Sequence, residues 1–305
     1  MTRFTLMTAA GVLAGTLHAH GAPTVTLGAR ERSVTQALVQ EARKSDQRVF
    51  DDLDESLRRW LDLPAGRRDE AVLSRWLRAL GKREPTVLID ALAAGLRVDV
   101  PDDLRATVDT AMVEALGRLD YGRALPVLRA AFVGGAAASV RAAGARGLAA
   151  SCRDAEAKLL LGHAVAGDPL LPAAVEGLGR CLRADAAERL GALLGAAPDA
   201  ASARPIAAAL GRVASQRVWT APIRRHDPAG ARVRATAARA LVGAIARLDD
   251  PELPRALAIV HHPDTPALLA GARAGADSAG VARLEQAASR LRQSPSLTLP
   301  GSDPK

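Results

Sequence analysis

Apolar positions along this chain recur at helical spacing. Leu159, Leu160, His163 and Ala164 return one turn apart, as do Val175, Leu178 and Leu182, so each set falls on one face of an α-helix. Helix starts are marked by acids. Asp168-Pro169, Asp199, Asp227-Pro228 and Asp264 precede one set of helical stretches, and Asp120, Asp154, Asp185 and Asp250-Pro251 precede the other. An aspartate there accepts from the free N–H groups of the first turn, and proline costs nothing at a position that lacks an intrahelical bond. Asp185 with Glu188, and Ser33 with Gln36, have the spacing of a capping box.

The helical stretches recur with a period. Met112–Gly117, Ala143–Leu148, Ala174–Gly179 and Ala207–Gly211 align, and their anchors Leu116, Leu148, Leu178, Leu210 and Leu241 lie 32, 30, 32 and 31 residues apart. A sixth unit follows at Pro266–Ala272, with Ala272 at the anchor position. A single pair of amphipathic helices cannot bury both faces, so pairs repeated at this period must stack. The sequence therefore predicts an all-α chain of about six helical hairpins.

Two stretches carry a family resemblance. Ser139-Val140-Arg141-Ala142-Ala143 running to Leu148, and Arg232-Val233-Arg234-Ala235-Thr236-Ala237-Ala238-Arg239-Ala240-Leu241 leading to Asp249-Asp250-Pro251, resemble HEAT repeats of the short bacterial, phycobilisome-lyase-like type. The resemblance spans residues 101–277 and is strongest around Val233; the units around Ala203 and Thr265 lack the Val-Arg pair. It implies a right-handed α-solenoid with helical caps that works as a binding scaffold. These residues build the repeat, so they specify a fold more than an activity.

The flanks divide accordingly. Arg3, the apolar run Phe4–Leu17 and the small residues at Ala19-His20-Gly21 read as an export signal over residues 1–21. Residues 22–100 form the expected N-terminal helical cap, with amphipathic helices over Ser33–Leu61 and Arg68–Leu80. The repeats occupy 101–277, a closing helix 278–293, and a Ser-, Pro- and Gly-bearing tail 294–305. Localisation is expected to be periplasmic or secreted.

Composition narrows the chemistry. Of 305 residues 49% are hydrophobic but only 2% aromatic, too few and too scattered for carbohydrate platforms or base-stacking surfaces. The net charge of +8 rests on 41 basic residues, of which only Lys44, Lys82, Lys158 and Lys305 are lysine. Arginine spread along a chain rich in Ala and Gly fits genomic G+C pressure better than a nucleic-acid patch. No nucleophile elbow, Ser-x-x-Lys motif or phosphate loop occurs. His261-His262-Pro263-Asp264 is the one metal-like run. There Asp264 is expected to cap a helix while the histidines sit in a solvated loop. No enzymatic activity, metal or cofactor is expected.

Cys152 and Cys181 lie 29 residues apart, near equivalent ends of adjacent units. An exported protein could join them, but stacked helices lie about 8–10 Å apart and a disulfide needs Cα atoms within about 7 Å. Two separate buried thiols are the expectation.

The candidate binding residues are of two kinds. Arg118, Arg180 and Arg212 stand two positions after their anchors, Arg146 and Arg239 two before, and Arg141 and Arg234 share the Val-Arg position. Their common register predicts either a line of free guanidinium groups or ordinary helix surface paired with the repeat aspartates. The second kind is the segment Gln216–Pro228, longer and less helical than its equivalents, with Trp219, Arg224 and Arg225. An exposed Trp beside Arg has the composition of a binding hot spot, although Trp219 would equally plug a gap left by a degenerate helix. The expected function is an exported scaffold for a protein partner with an acidic surface. The alternative is a binder of anionic polymer, polysaccharide or nucleic acid, along the Arg line, with nucleic acid the less expected; a lyase-type enzyme has only fold analogy behind it.

Overall fold

The computed structural model describes residues 25–45, 47–119 and 121–293. The expected export signal over residues 1–21, Asp120 and the segment 294–305 lie outside them. The regular structure described is helical: α1 (Ala29–Ser45), α2 (Gln47–Leu61), α3 (Glu70–Arg83), α4 (Thr86–Ala94), α5 (Asp102–Gly117), α6 (Leu125–Gly134), α7 (Ala138–Ser151) and α8 (Asp154–His163) come first. Then follow α9 (Leu171–Leu178), α10 (Ala184–Ala196), α11 (Ala200–Val213), α12 (Gln216–Trp219), α13 (Ala229–Arg247), α14 (Glu252–Val260), α15 (Thr265–Arg273) and α16 (Ser278–Gln293). Among the described residues there is no strand.

Several helices begin as their aspartates predict. Asp199 accepts from the Ser202 N–H at 2.8 Å, Asp168 from Leu170 at 2.7 Å, Asp227 from Ala229 at 2.9 Å and Asp250 from Glu252 at 2.8 Å. These bonds hold the Asp199 and Asp168 carboxyls below their ordinary pKa, because an N–H donor favours the ionised form. Four expected caps are not made, the first being Asp154, which opens α8 with its side chain bonded to Arg183 and not to the backbone. Ser33 lies inside α1, and Ser33–Leu61 is divided between α1 and α2. Asp185 sits within the first turn of α10 bonded to Arg183, and Glu188 reaches out to Arg232 instead of back to the backbone. Asp264 occupies the N-cap of α15 without a side-chain capping bond.

Helices α3, α5, α7, α9, α11 and α14 form one row, each packed on the next. A second layer covers it, with α6 on α7, α8 on α9, α10 on α11 and α13 on α14. The first row is closed by small residues. A methyl group on Gly117 would lie 2.7 Å from the Gly147 Cα, one on Gly177 3.0 Å from the Ala145 carbonyl, and one on Gly179 2.9 Å from the Ala209 Cα. Gly211 and Ala256 continue the series between α11 and α14, at 3.2 Å. Backbones that meet this closely exclude larger side chains, so the Ala and Gly content is a packing requirement as well as a compositional bias.

Both layers share one apolar core that runs from Val25 to Ala287. The anchors Leu116, Leu148, Leu178, Leu210 and Leu241 are all buried, each contributing about 1.5–3 kcal/mol relative to an exposed leucine.

The two cysteines are joined, contrary to expectation. Cys152 caps α7 in the left-handed conformation, φ 34°, and its Cα stands 5.5 Å from that of Cys181, to which it is disulfide-bonded. The mid-helix spacing used in the sequence argument does not apply. Gly177 brings the backbone of α9 against Ala145 of α7, and the bridge joins residues just past the two helix ends, where the chains converge.

Candidate interaction surface

Four arginines of the expected line belong to the first row, and they are not free. Glu114 on α5 accepts from Arg146 on α7 and from Arg118 at 3.5 Å. Glu176 on α9 accepts from Arg212 on α11 at 3.0 Å and from Arg180 at 3.5 Å, with Arg146 4.0 Å away. The result is a ladder in which two glutamates bridge four guanidinium groups across α5, α7, α9 and α11. Two carboxylates placed between four like charges cancel about half of the charge such a row would project. The partners are these glutamates and not the repeat aspartates. Aspartates do take arginines elsewhere: Asp154 and Asp185 hold Arg183, and buried Asp250 holds Arg204 at 2.9 Å.

The remaining members of the series stand apart from this ladder. Arg141 donates to the Gly135 and Ala136 carbonyls, closing the end of α6. Arg234 does the same for α14, donating to the Val260 carbonyl at 3.1 Å and the His261 carbonyl at 2.5 Å, and burial pushes its pKa down. Arg239 is exposed on α13. Sequence register puts α13 after α11 in the anchor row, but α13 packs on α10 while α14 packs on α11. The layers exchange roles at α12, so Arg234 and Arg239 do not extend the line of Arg118, Arg180 and Arg212.

Trp219, expected as an exposed hot spot, is buried. Its Nε1 donates to the Val213 carbonyl at 2.7 Å and Gly230 lies against its ring. The indole fills the space where the layers exchange, the gap-plugging role open from sequence. Arg224 covers it, with Cζ 5.5 Å from the ring centroid, and pairs with Asp227 at 3.5 Å. What the segment presents to solvent is Ile223, 93% exposed, beside exposed Arg225. Sequence reasoning overlooked Ile223, although an isoleucine set between Pro222 and paired arginines in a non-helical stretch was a visible signal.

The same end of the molecule holds a cavity of about 740 Å³ bordered by α12, α14, α15 and α16. His261 and His262 line it. The expected solvated pair is thus divided: His261 is exposed in a left-handed turn, φ 44°, while the His262 side chain is only 11% exposed. Burial pushes the His262 pKa below its ordinary value; Asp264 opposes the shift, and Arg234 and Arg239 add to it. Among the described residues no group of three or more His, Cys, Asp or Glu gathers as a metal would need, and no helix is long and apolar enough to cross a membrane.

Comparison with known protein families, with curated proteins and with solved structures finds no match for this chain.

Proposed function

We propose that the chain is an α-solenoid of HEAT-like hairpins that serves as a non-enzymatic scaffold for a protein partner, exported to the bacterial envelope. The observation that carries the reading is the Gln216–Pro228 segment. An isoleucine 93% exposed beside Arg225, on a loop whose base is anchored by buried Trp219, offers an apolar contact next to a positive charge. Row packing through Gly117, Gly147, Gly179 and Gly211 supports the solenoid, since each helix pair finds its missing core in the next. The Cys152–Cys181 disulfide supports export, because such bonds persist in oxidising compartments. The polymer alternative is less favoured, since Glu114 and Glu176 pair with four of the arginines it requires and offset half their charge.

The test is affinity capture from envelope lysate at low and high salt, with the wild-type chain and an Ile223→Asp, Arg225→Glu variant. The scaffold reading expects one defined protein that the wild type retains at high salt and the variant loses. Recovery of salt-labile polymer alone, or equal behaviour of both chains, contradicts it.

A further inference from the structure

The cavity between α12, α14, α15 and α16 has features that a protein-binding loop does not explain. Its walls are chiefly apolar, with Leu257 and Leu269 buried in the core and Ile259 left 40% exposed. Its volume, about 740 Å³, falls in the range of small-ligand sites. Among the described residues no carboxylate lines it, whereas Arg217, Arg255 and Arg292 do. Arg255 pairs with Glu252 at 3.4 Å. Arg217 and Arg292 are exposed and make no ion pair with the described residues.

Among the polar lining groups, Thr265 is 4% exposed and its hydroxyl is enclosed, so it offers no donor to the cavity. His262 adds a donor of its own: its Nδ1 accepts from the Asp264 N–H at 3.3 Å, which leaves the ring proton on Nε2. An apolar wall and guanidinium groups without acids together describe the complement of a molecule with a long apolar part and an anionic oxygen head.

We propose that this cavity binds a long-chain carboxylate. The hydrocarbon chain lies against Leu257, Ile259, Leu269 and Leu291, and the head accepts from Arg217 and Arg292, whose unpaired side chains can fold over it. A peptide fits the site less well. Its backbone N–H and C=O groups would have to be satisfied by walls made of helix side chains, most of them hydrocarbon, whereas an acyl chain brings no such groups. The site shares α12 with the Gln216–Pro228 segment but is not lined by Ile223 or Arg225, so variants of the loop tip and of the cavity wall test the two readings independently.

The experiment titrates the full chain with hexadecanoate, below its micellar concentration, against hexadecanol and an acidic amphipathic peptide, by displacement of a fluorescent fatty acid. Saturable binding of one equivalent of hexadecanoate is expected. Ile259→Asp, at a half-open wall position, lowers affinity by roughly ten-fold or more with an unchanged thermal midpoint. Arg217→Glu with Arg292→Glu weakens hexadecanoate and leaves hexadecanol unaffected. Absence of saturable hexadecanoate binding, equal binding by the Ile259→Asp variant, or binding of the peptide in preference to the carboxylate overturns the proposal.

Discussion

Gly230 lies flat against Trp219: a methyl group added at Gly230 would stand 2.8 Å from the indole Cε3. The indole cannot easily yield, because its Nε1 is bonded to the Val213 carbonyl and Arg224 covers it. Trp219→Ala is therefore expected to cost about 3–5 kcal/mol. Gly230→Ala is expected to cost about 1–3 kcal/mol through overpacking, despite the better helix propensity of alanine. The two costs should not add, since removing the indole also removes the clash. Urea unfolding of both single variants and the double variant checks this, and strict additivity would mean that the two residues do not meet.

The Cys152–Cys181 bridge closes a loop with a sequence separation of 29 residues. Chain-entropy arguments give such a closure about 3–4 kcal/mol. Chemical denaturation with and without reductant should show a loss of that order, matched by Cys152→Ser with Cys181→Ser. Intact mass after alkylation should find no free thiol in the oxidised protein; two alkylated cysteines under non-reducing conditions would contradict the bridge.

His262 links stability to pH. Its folded pKa is depressed by burial, so between that value and the ordinary value near 6.5 the unfolded chain binds the proton more readily. Stability should thus fall as pH drops from about 6.5 through the folded pKa, then stop changing on this account. His262→Gln should flatten that part of the profile. An NMR titration of the ring checks the shift directly, and a midpoint at or above 6.5 would be inconsistent with the burial observed.

Much of this architecture was legible in the sequence because its causes are local. Aspartates 168, 199, 227 and 250 marked helix starts since a cap needs only a side chain and the next few N–H groups. The small residues flanking each anchor, Gly117, Gly147, Gly177, Gly179 and Gly211, were present in the aligned units, though only the structure turns them into contacts. What could not be read depends on which helix meets which. Register alone made α13 the successor of α11, and that error carried Arg234 and Arg239 into a line they do not join. The sequence also could not distinguish an exposed Trp219 from a buried one, since both readings suit a degenerate helix. Burial left Ile223 as the outward apolar residue.

The exchange of layers at α12 underlies both the Ile223 loop and the cavity, and a pair of cross-links tests it most directly. Glu188 on α10 and Arg232 on α13 are exposed and in contact at 2.5 Å, whereas uninterrupted sequence register would bring Arg239 beside Arg212, as Arg146 stands beside Arg118 on Glu114. With the native disulfide removed, Glu188→Cys with Arg232→Cys should cross-link rapidly through a short bis-maleimide, and Arg212→Cys with Arg239→Cys should not. The opposite result would return α13 to the anchor row and dissolve the site built here.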